Sequence, residues 1–336
     1  MLLHYTRCKM IRNQWYGILQ ANELKSGKPV GVTRLGEKLV LWRQANGEIG
    51  CLADRCCHRG ASLSHGCLEQ DTIHCPFHGF SYDTSGKVVR IPANGNNAPV
   101  PDRYHVQAYK AVEQYGFIWL WSGEPAAELP EIPFFQELRQ GFSYGGFSEV
   151  WPVHYSRAIE NQLDVVHLPF VHTNSIGRGG KTVVHGPVVT WKNNLMTFYV
   201  DNVVDDGVVK PLKPQEIKNY QDLFSLQFQM PNLWQNRISD KIRIVAVFAP
   251  IDEENTQIYL RFYQRFMTLP VLRQIVNCLS NFSNRYILHQ DRRVVVTQLP
   301  IRSELNMHEN LIQGDAPIME YRKRRALLKS ENPVQA

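Results

Sequence analysis

Residues 56–80 read CCHRGASLSHGCLEQDTIHCPFHGF. Two short metal-ligand pairs lie inside this stretch. The first is Cys56-x-His58, followed by Arg59 and Gly60; the second is Cys75-x-x-His78, followed by Gly79. Sixteen residues separate the pairs. Structural zinc sites also use Cys and His, but their common spacings pair like with like, as C-x-x-C and H-x-x-x-H. Here each half offers one Cys and one His, at unequal spacing. Two thiolates on one iron and two imidazoles on the other is the ligation of a high-potential [2Fe–2S] cluster, because neutral rings in place of thiolates raise the reduction potential. Gly60 and Gly79 suit tight loops around a buried inorganic core. Cys56, His58, Cys75 and His78 are therefore the expected cluster ligands, with a structural zinc site as the alternative.

The rest of the composition narrows the setting. A chain of 336 residues is long enough for two domains, and 43% hydrophobic with 20% charged residues is a globular balance. Seven cysteines, at 8, 51, 56, 57, 67, 75 and 278, are an odd count clustered at one place. That pattern favours metal binding in a reducing compartment over a disulfide scaffold, so a cytoplasmic location is expected. The net charge of +6 comes without a basic tract, which argues against nucleic-acid binding. A basic surface suits docking of an acidic electron carrier, or is an ordinary scatter of Lys and Arg. No apolar run reaches membrane-span length. His4, Arg7, Lys9 and Arg12 interrupt the N-terminal apolar run, which does not read as a signal peptide; Met10 is a second candidate start.

Along the chain, residues 13–125 read as a small all-β domain with its metal loops at one tip. Strands are expected at Val30–Leu35, Lys38–Arg43, Ile49–Ala53, Thr72–His74, Phe80–Tyr82, Val88–Ile91, Val106–Val112 and Phe117–Trp121, separated by Gly-containing turns. A stretch with three prolines, EPAAELPEIP at Glu124–Pro133, reads as a linker, 126–141 is the interval between the domains, and 142–336 form a second domain. There a strand is expected at Val150–His154, then a helix from Ser156 to His167 with Ser156 as N-cap. Strands follow at Lys181–Val184, Val188–Trp191, Leu195–Val203, Leu223–Met230, Ile242–Phe248 and Gln257–Phe266, and a long amphipathic helix runs from Pro270 toward Gln298. An antiparallel sheet covered by a long helix makes an α+β domain. The basic tail from Met319 reads as a solvated surface helix.

The second domain carries its own constellation, Asn161-x-x-Asp164-x-x-His167-Leu-Pro-Phe-Val-His172. Two histidines five apart can meet one metal if the helix breaks between them, and Pro169 is the expected break. Asp164 and His167, three apart, would share a helix face. Two histidines and a carboxylate with open positions suit a ferrous site that activates O2. The carboxylate lies downstream, with Asp240, Asp252, Asp291 and Glu304 as candidates. Asp291 stands out because it interrupts an apolar-periodic helix in which Asp has poor propensity; its alternative role is a salt bridge. His289 beside it reads as structural.

C-x-H-R-G-A at 56–61, C-P-F-H-G-F at 75–80 and D-x-x-H followed by a second His together resemble the Rieske non-haem iron oxygenases, over about residues 13–325. Ala61 and Phe77 stand where Rieske proteins of respiratory complexes add disulfide cysteines, and Cys57 departs from the family's usual Pro. The resemblance implies a Rieske domain followed by a helix-grip (START-like) catalytic domain. It implies a mononuclear Fe(2+) held by His167, His172 and Asp291, and O2 as cosubstrate. It gives Asp164 the role of linking His78 of one subunit to His167 of the next in a head-to-tail homotrimer, and leaves Asn161 as a possible pocket residue. Electrons come from an external NAD(P)H-linked flavin reductase or ferredoxin, since no GxGxxG fingerprint is present here. The short LDVVHLPFVH motif is similar to that of dicamba and vanillate demethylases and saxitoxin-pathway hydroxylases, so hydroxylation or oxidative demethylation of a small cyclic or aromatic molecule is expected. The alternatives are a cis-dihydroxylating ring dioxygenase and a Rieske electron carrier without oxygenase activity.

Overall fold

The computed structural model describes Met10–Glu331. Cys8 and the charges at His4, Arg7 and Lys9 lie outside these residues, as does the end of the second domain beyond Glu331. The chain forms two compact units. One runs to Ile132 and includes Ala249–Asp252; the other comprises Pro133–Phe248 and the described residues from Glu253.

The first unit carries ten strands among the described residues. They are β1 Gln14–Gln20, β2 Val30–Arg34, β3 Glu37–Arg43, β4 Ile49–Ala53, β5 Cys67–Glu69, β6 Thr72–His74, β7 Ser81–Tyr82, β8 Val88–Arg90, β9 Ala111–Gln114 and β10 Phe117–Ser122. They pair as three antiparallel sheets, ordered β1-β10-β9, β2-β3-β4 and β5-β6-β7-β8. β1 escaped the sequence reading because residues 15–19 are all buried, which leaves no alternation to detect. The expected strand Val106–Val112 is a strand only from Ala111. Upstream, the backbone serves two neighbours in turn: Val106 N donates to Gly86 O, and Tyr109 N to Cys51 O. The metal loops precede β5 and follow β6, against a core of Val40, Trp42, Leu52, Leu63, Ile73, Phe80 and Tyr82.

The second unit is a seven-stranded sheet with helices. Its strands are β11 Ser143–Trp151, β12 Val183–Lys192, β13 Leu195–Val203, β14 Phe224–Gln229, β15 Leu233–Ser239, β16 Ile242–Pro250 and β17 Thr256–Gln264, in the order β11-β17-β16-β15-β14-β13-β12. Its helices are α1 Tyr155–Leu163, α2 Leu168–Val171, α3 Pro270–Val295 and α4 Ala316–Glu331. The sheet is antiparallel and α3 lies against β11, as the α+β reading requires. Gly145 permits that approach: a Cβ there would stand 2.7 Å from Asn277 Cβ. Arg285 lies over Phe147, and His289 Nε2 meets Glu149 Oε2 at 2.9 Å, so His289 is tied to the sheet edge. The two expected strands at 181–191 are one strand with a bulge between His185 and Val188, and β15 was not expected.

Three expectations about helices need correction. First, His154, not Ser156, is the N-cap of α1, its side chain accepting from Ser156 N. Second, α1 stops at Leu163, so Asp164 and His167 do not share a helix face, and the chain breaks before His167 rather than between the histidines. Asp164 leaves the helix with extended backbone, and its Oδ1 accepts from Val166 N at 2.7 Å and His167 N at 3.1 Å. This side-chain turn competes with continued helix. Pro169 sits in the first turn of α2, where proline needs no N–H partner. Third, the basic tail is not a solvated helix. Arg322 and Arg325 on α4 are 3% and 2% exposed. Arg322 reaches Glu160 of α1 with Nε–Oε1 at 2.7 Å, and Arg157 meets the same carboxylate at 3.1 Å.

Candidate metal centres

The two loops at the tip of the first unit are one loop used twice. Cys56 N donates to Ala61 O at 2.8 Å and Gly60 N to Cys56 O at 2.9 Å; Cys75 N donates to Phe80 O at 2.9 Å and Gly79 N to Cys75 O at 3.0 Å. Gly60 and Gly79 hold equivalent positions at φ +75° and +72°. A Cβ makes that left-handed backbone unfavourable by about 1–2 kcal/mol. The unequal spacing in the sequence therefore reflects one loop that presents its imidazole at the third residue in one copy and the fourth in the other.

The donors are sorted by depth. Cys56 and Cys75 are each 3% exposed, whereas His58 and His78 face solvent with ring centroids 4.6 Å apart. His58 stacks on Phe80 at 4.8 Å. Burial, with Cys56 alongside, pushes the Cys75 thiol up, while the N–H groups of Phe77 and His78 aim at its sulfur and pull the other way. Tyr82 Oη donates to Cys56 Sγ at 3.1 Å and accepts from Cys57 N at 3.1 Å. Two inward thiols with donors aimed at sulfur, below two outward imidazoles, fit the donor set of a [2Fe–2S] cluster with two thiolate and two imidazole ligands. Tyr82 was not singled out in the sequence; only its place seven residues after Cys75 marks it.

In the second unit, α2 is a single turn that places His167 before it and His172 after it, and α3 brings Asp291 to them. His172 Nε2 lies 2.9 Å from Asp291 Oδ1 and His167 Nε2 lies 3.4 Å from it. The three ligand atoms stand within 4.8 Å of one another. His172 and Asp291 are 1% and 3% exposed. Burial opposes charge on Asp291, yet the two imidazoles hold its carboxyl below the usual range. Burial likewise opposes charge on His167, but Asp164 and Asp291 outweigh it and raise its pKa to about 9. A buried carboxylate that collects positive charge fits a cation in place of those protons. Two histidines and one carboxylate on one face match a non-haem ferrous centre.

The other sequence candidates fall elsewhere. Glu304 pairs with Arg325 and Lys329, and Asp240 and Asp252 are in turns away from the histidines. Asp164 stands 3.7 Å from His167 Nδ1, beyond hydrogen-bond length, with its side chain 30% exposed. Asn161 Nδ2 and His167 Nδ1 are buried without a hydrogen-bond partner among the described residues. Sequence reasoning missed Gln290, whose Oε1 meets His172 Nδ1 at 2.9 Å.

A paired Cys/His loop tip and a His-His-Asp group in a helix-covered sheet are two donor sets, the second consistent with a mononuclear iron site. Residues 14–114 match the Rieske [2Fe-2S] domain, and residues 151–330, more than half the chain, match the vanillate O-demethylase oxygenase C-terminal domain. The chain belongs to the Rieske non-haem iron oxygenases. It is 38% identical over 166 residues to the dicamba O-demethylase oxygenase component of Stenotrophomonas maltophilia, covering 48% of each protein. It is 30% identical over 198 residues to the vanillate O-demethylase oxygenase subunit of Pseudomonas sp. strain HR199, covering 57% of this chain and 54% of that one. The chain thus spans about half the length of the curated relatives it matches. NdmA of Pseudomonas putida CBB5 shares the fold, at TM-score 0.75 and 24% identity over 95% of this chain and 91% of that one. No helix among the described residues is long and apolar enough to cross a membrane.

Proposed function

We propose that this chain is a terminal oxygenase that takes electrons from an external NAD(P)H-linked flavin reductase or ferredoxin and uses O2 to hydroxylate or oxidatively demethylate a small cyclic or aromatic molecule. The observation that carries the reading is the convergence of His167, His172 and Asp291 within 4.8 Å in a chain that also has the paired Cys/His loops. The matches to dicamba and vanillate O-demethylases support demethylation. Overall, one oxygen atom enters a C–H bond and the other leaves as water, with two electrons and two protons supplied from the reductase side. A hydroxylated O-methyl group then collapses to an alcohol and formaldehyde.

Cys56, His58, Cys75 and His78 would hold the cluster, and His167, His172 and Asp291 the ferrous ion; bound there, they supply one-electron transfer and O2 activation. We take 13–125 as the cluster domain and 142–336 as the catalytic domain. The exposed rings of His58 and His78 give electrons a way in and out. Asp164, part-exposed beside the buried His167, is suited to bridge His78 of a neighbouring subunit in a homotrimer. Asn161, its Nδ2 buried without a hydrogen-bond partner among the described residues, is a pocket residue. The absence of disulfides among the described cysteines is compatible with a cytoplasmic setting.

The test is His167→Ala. With a surrogate reductase, NADH and a panel of aromatic methyl ethers, the wild type is expected to release formaldehyde. The variant should lose product and keep its red-brown cluster. Undiminished product in the variant would overturn the reading that the His167, His172 and Asp291 group carries the reaction; a cluster that NADH reduces through the reductase, with no product from the wild type, would instead fit an electron carrier.

A further inference from the structure

The two histidines of the His-His-Asp group are supported unequally. Behind His172, Nδ1 lies 2.9 Å from Gln290 Oε1, and Ser175 Oγ donates to the same oxygen at 3.0 Å. A carbonyl oxygen only accepts, so the ring carries its proton on Nδ1 and turns Nε2 toward Asp291. Ser175 also follows His172 through the backbone, its N donating to His172 O at 2.9 Å. Among the described residues His167 has no such support: Asp164 Oδ1 is 3.7 Å from its Nδ1, and that oxygen already accepts two backbone N–H groups.

Gln290 immediately precedes Asp291 on α3. One turn of one helix therefore delivers both the carboxylate and the outer partner of the imidazole opposite it. A displacement of α3 would move both together. The amide also provides an acceptor without adding a second negative charge next to the buried Asp291.

We propose that Gln290, braced by Ser175, is the positioning residue of this site: it fixes the tautomer and ring plane of His172, and so sets the affinity and symmetry with which the site holds a divalent cation. The inference rests on the proposal that His167, His172 and Asp291 bind iron. Removal of such an outer hydrogen-bond partner typically weakens metal binding about 10–100-fold.

The experiment is anaerobic calorimetric titration with Co(II), on protein that retains its oxidised, EPR-silent cluster but has been stripped of mononuclear metal. EPR of the bound Co(II) reports the symmetry. Gln290→Leu removes the acceptor at similar volume. It is expected to bind about 10–100-fold more weakly with an altered Co(II) signal. Gln290→Glu restores an acceptor and should bind within a few-fold of wild type. Wild-type affinity and an unchanged signal in Gln290→Leu would overturn the inference while leaving the metal site standing. Wild-type protein that binds no Co(II), or His172→Ala that binds it normally, would overturn the site itself. If Gln290→Leu does not fold, judged by its cluster dichroism and thermal midpoint, Ser175→Ala decides: a few-fold weaker binding supports the brace, and unchanged binding refutes it.

Discussion

The two candidate centres are built in opposite ways. The cluster loops are local: each closes on itself through the same two backbone hydrogen bonds, and all four donors lie between Cys56 and His78. The His-His-Asp group is assembled from afar. Its histidines flank a one-turn helix after a side-chain turn at Asp164, and its carboxylate and outer partner arrive on α3. Local loops tolerate change elsewhere in the fold, whereas a site drawn from distant elements depends on whatever holds those elements in place. The loops therefore report mainly on sequence, and the second site on packing.

The largest expected effect separates the two centres through that packing. Glu160 on α1 is the shared partner of Arg157 and Arg322, all under 5% exposed. Glu160→Ala removes one of the two carboxylates that meet these buried guanidiniums, Glu309 being the other, a loss of about 3 kcal/mol. Denaturant unfolding should show the loss in the second unit, with mononuclear iron depleted and the cluster spectrum intact. Equal loss of the cluster would break the contrast between the centres.

A smaller effect follows pH. His154 is buried, and burial, then Arg325, Lys329, Arg302 and Arg157, depress its pKa to about 2; Glu253, 3.8 Å away, opposes them. The unfolded chain takes up this proton near pH 6.5 and the folded chain does not. Stability is therefore present above that pH and is lost as pH falls below it, by up to about 1.4 kcal/mol per unit. Thermal melts from pH 7 to 5 should fall less steeply for His154→Asn than for wild type. Parallel slopes would remove His154 from the account.

The smallest effect sharpens the view of the loops. Tyr82→Phe removes the O–H donated to Cys56 Sγ. Hydrogen bonds to cluster sulfurs raise the potential, so the variant's midpoint should drop by a few tens of millivolts in a redox titration, the equivalent of about one hydrogen bond. An unchanged midpoint would mean that the bond is absent once the cluster is bound.

This contrast also explains what the sequence could say. Cys56, His58, Cys75 and His78 were readable because ligand spacing is local. The α+β architecture was readable because its strands and long helix have clear periods, and β1 was lost because a fully buried strand has none. In the second site, His167 and His172 announce themselves by spacing, but four acids competed as the third member, and only the oddity of an Asp in an apolar-periodic helix, with the resemblance, favoured Asp291. Gln290 and the docking of α4 through Arg322 were hidden. Their partners, His172 and Glu160, lie far away in sequence, and no residue type marks a basic helix as buried until an acid is found to meet it.

The most direct test of the two-centre account is the metal content of anaerobically prepared protein, as iron and acid-labile sulfide per chain. The account predicts about three irons and two sulfides, one cluster plus one mononuclear ion. About two irons and two sulfides, with no uptake of added ferrous iron, would contradict the oxygenase centre and leave an electron carrier. Zinc without sulfide would contradict both centres.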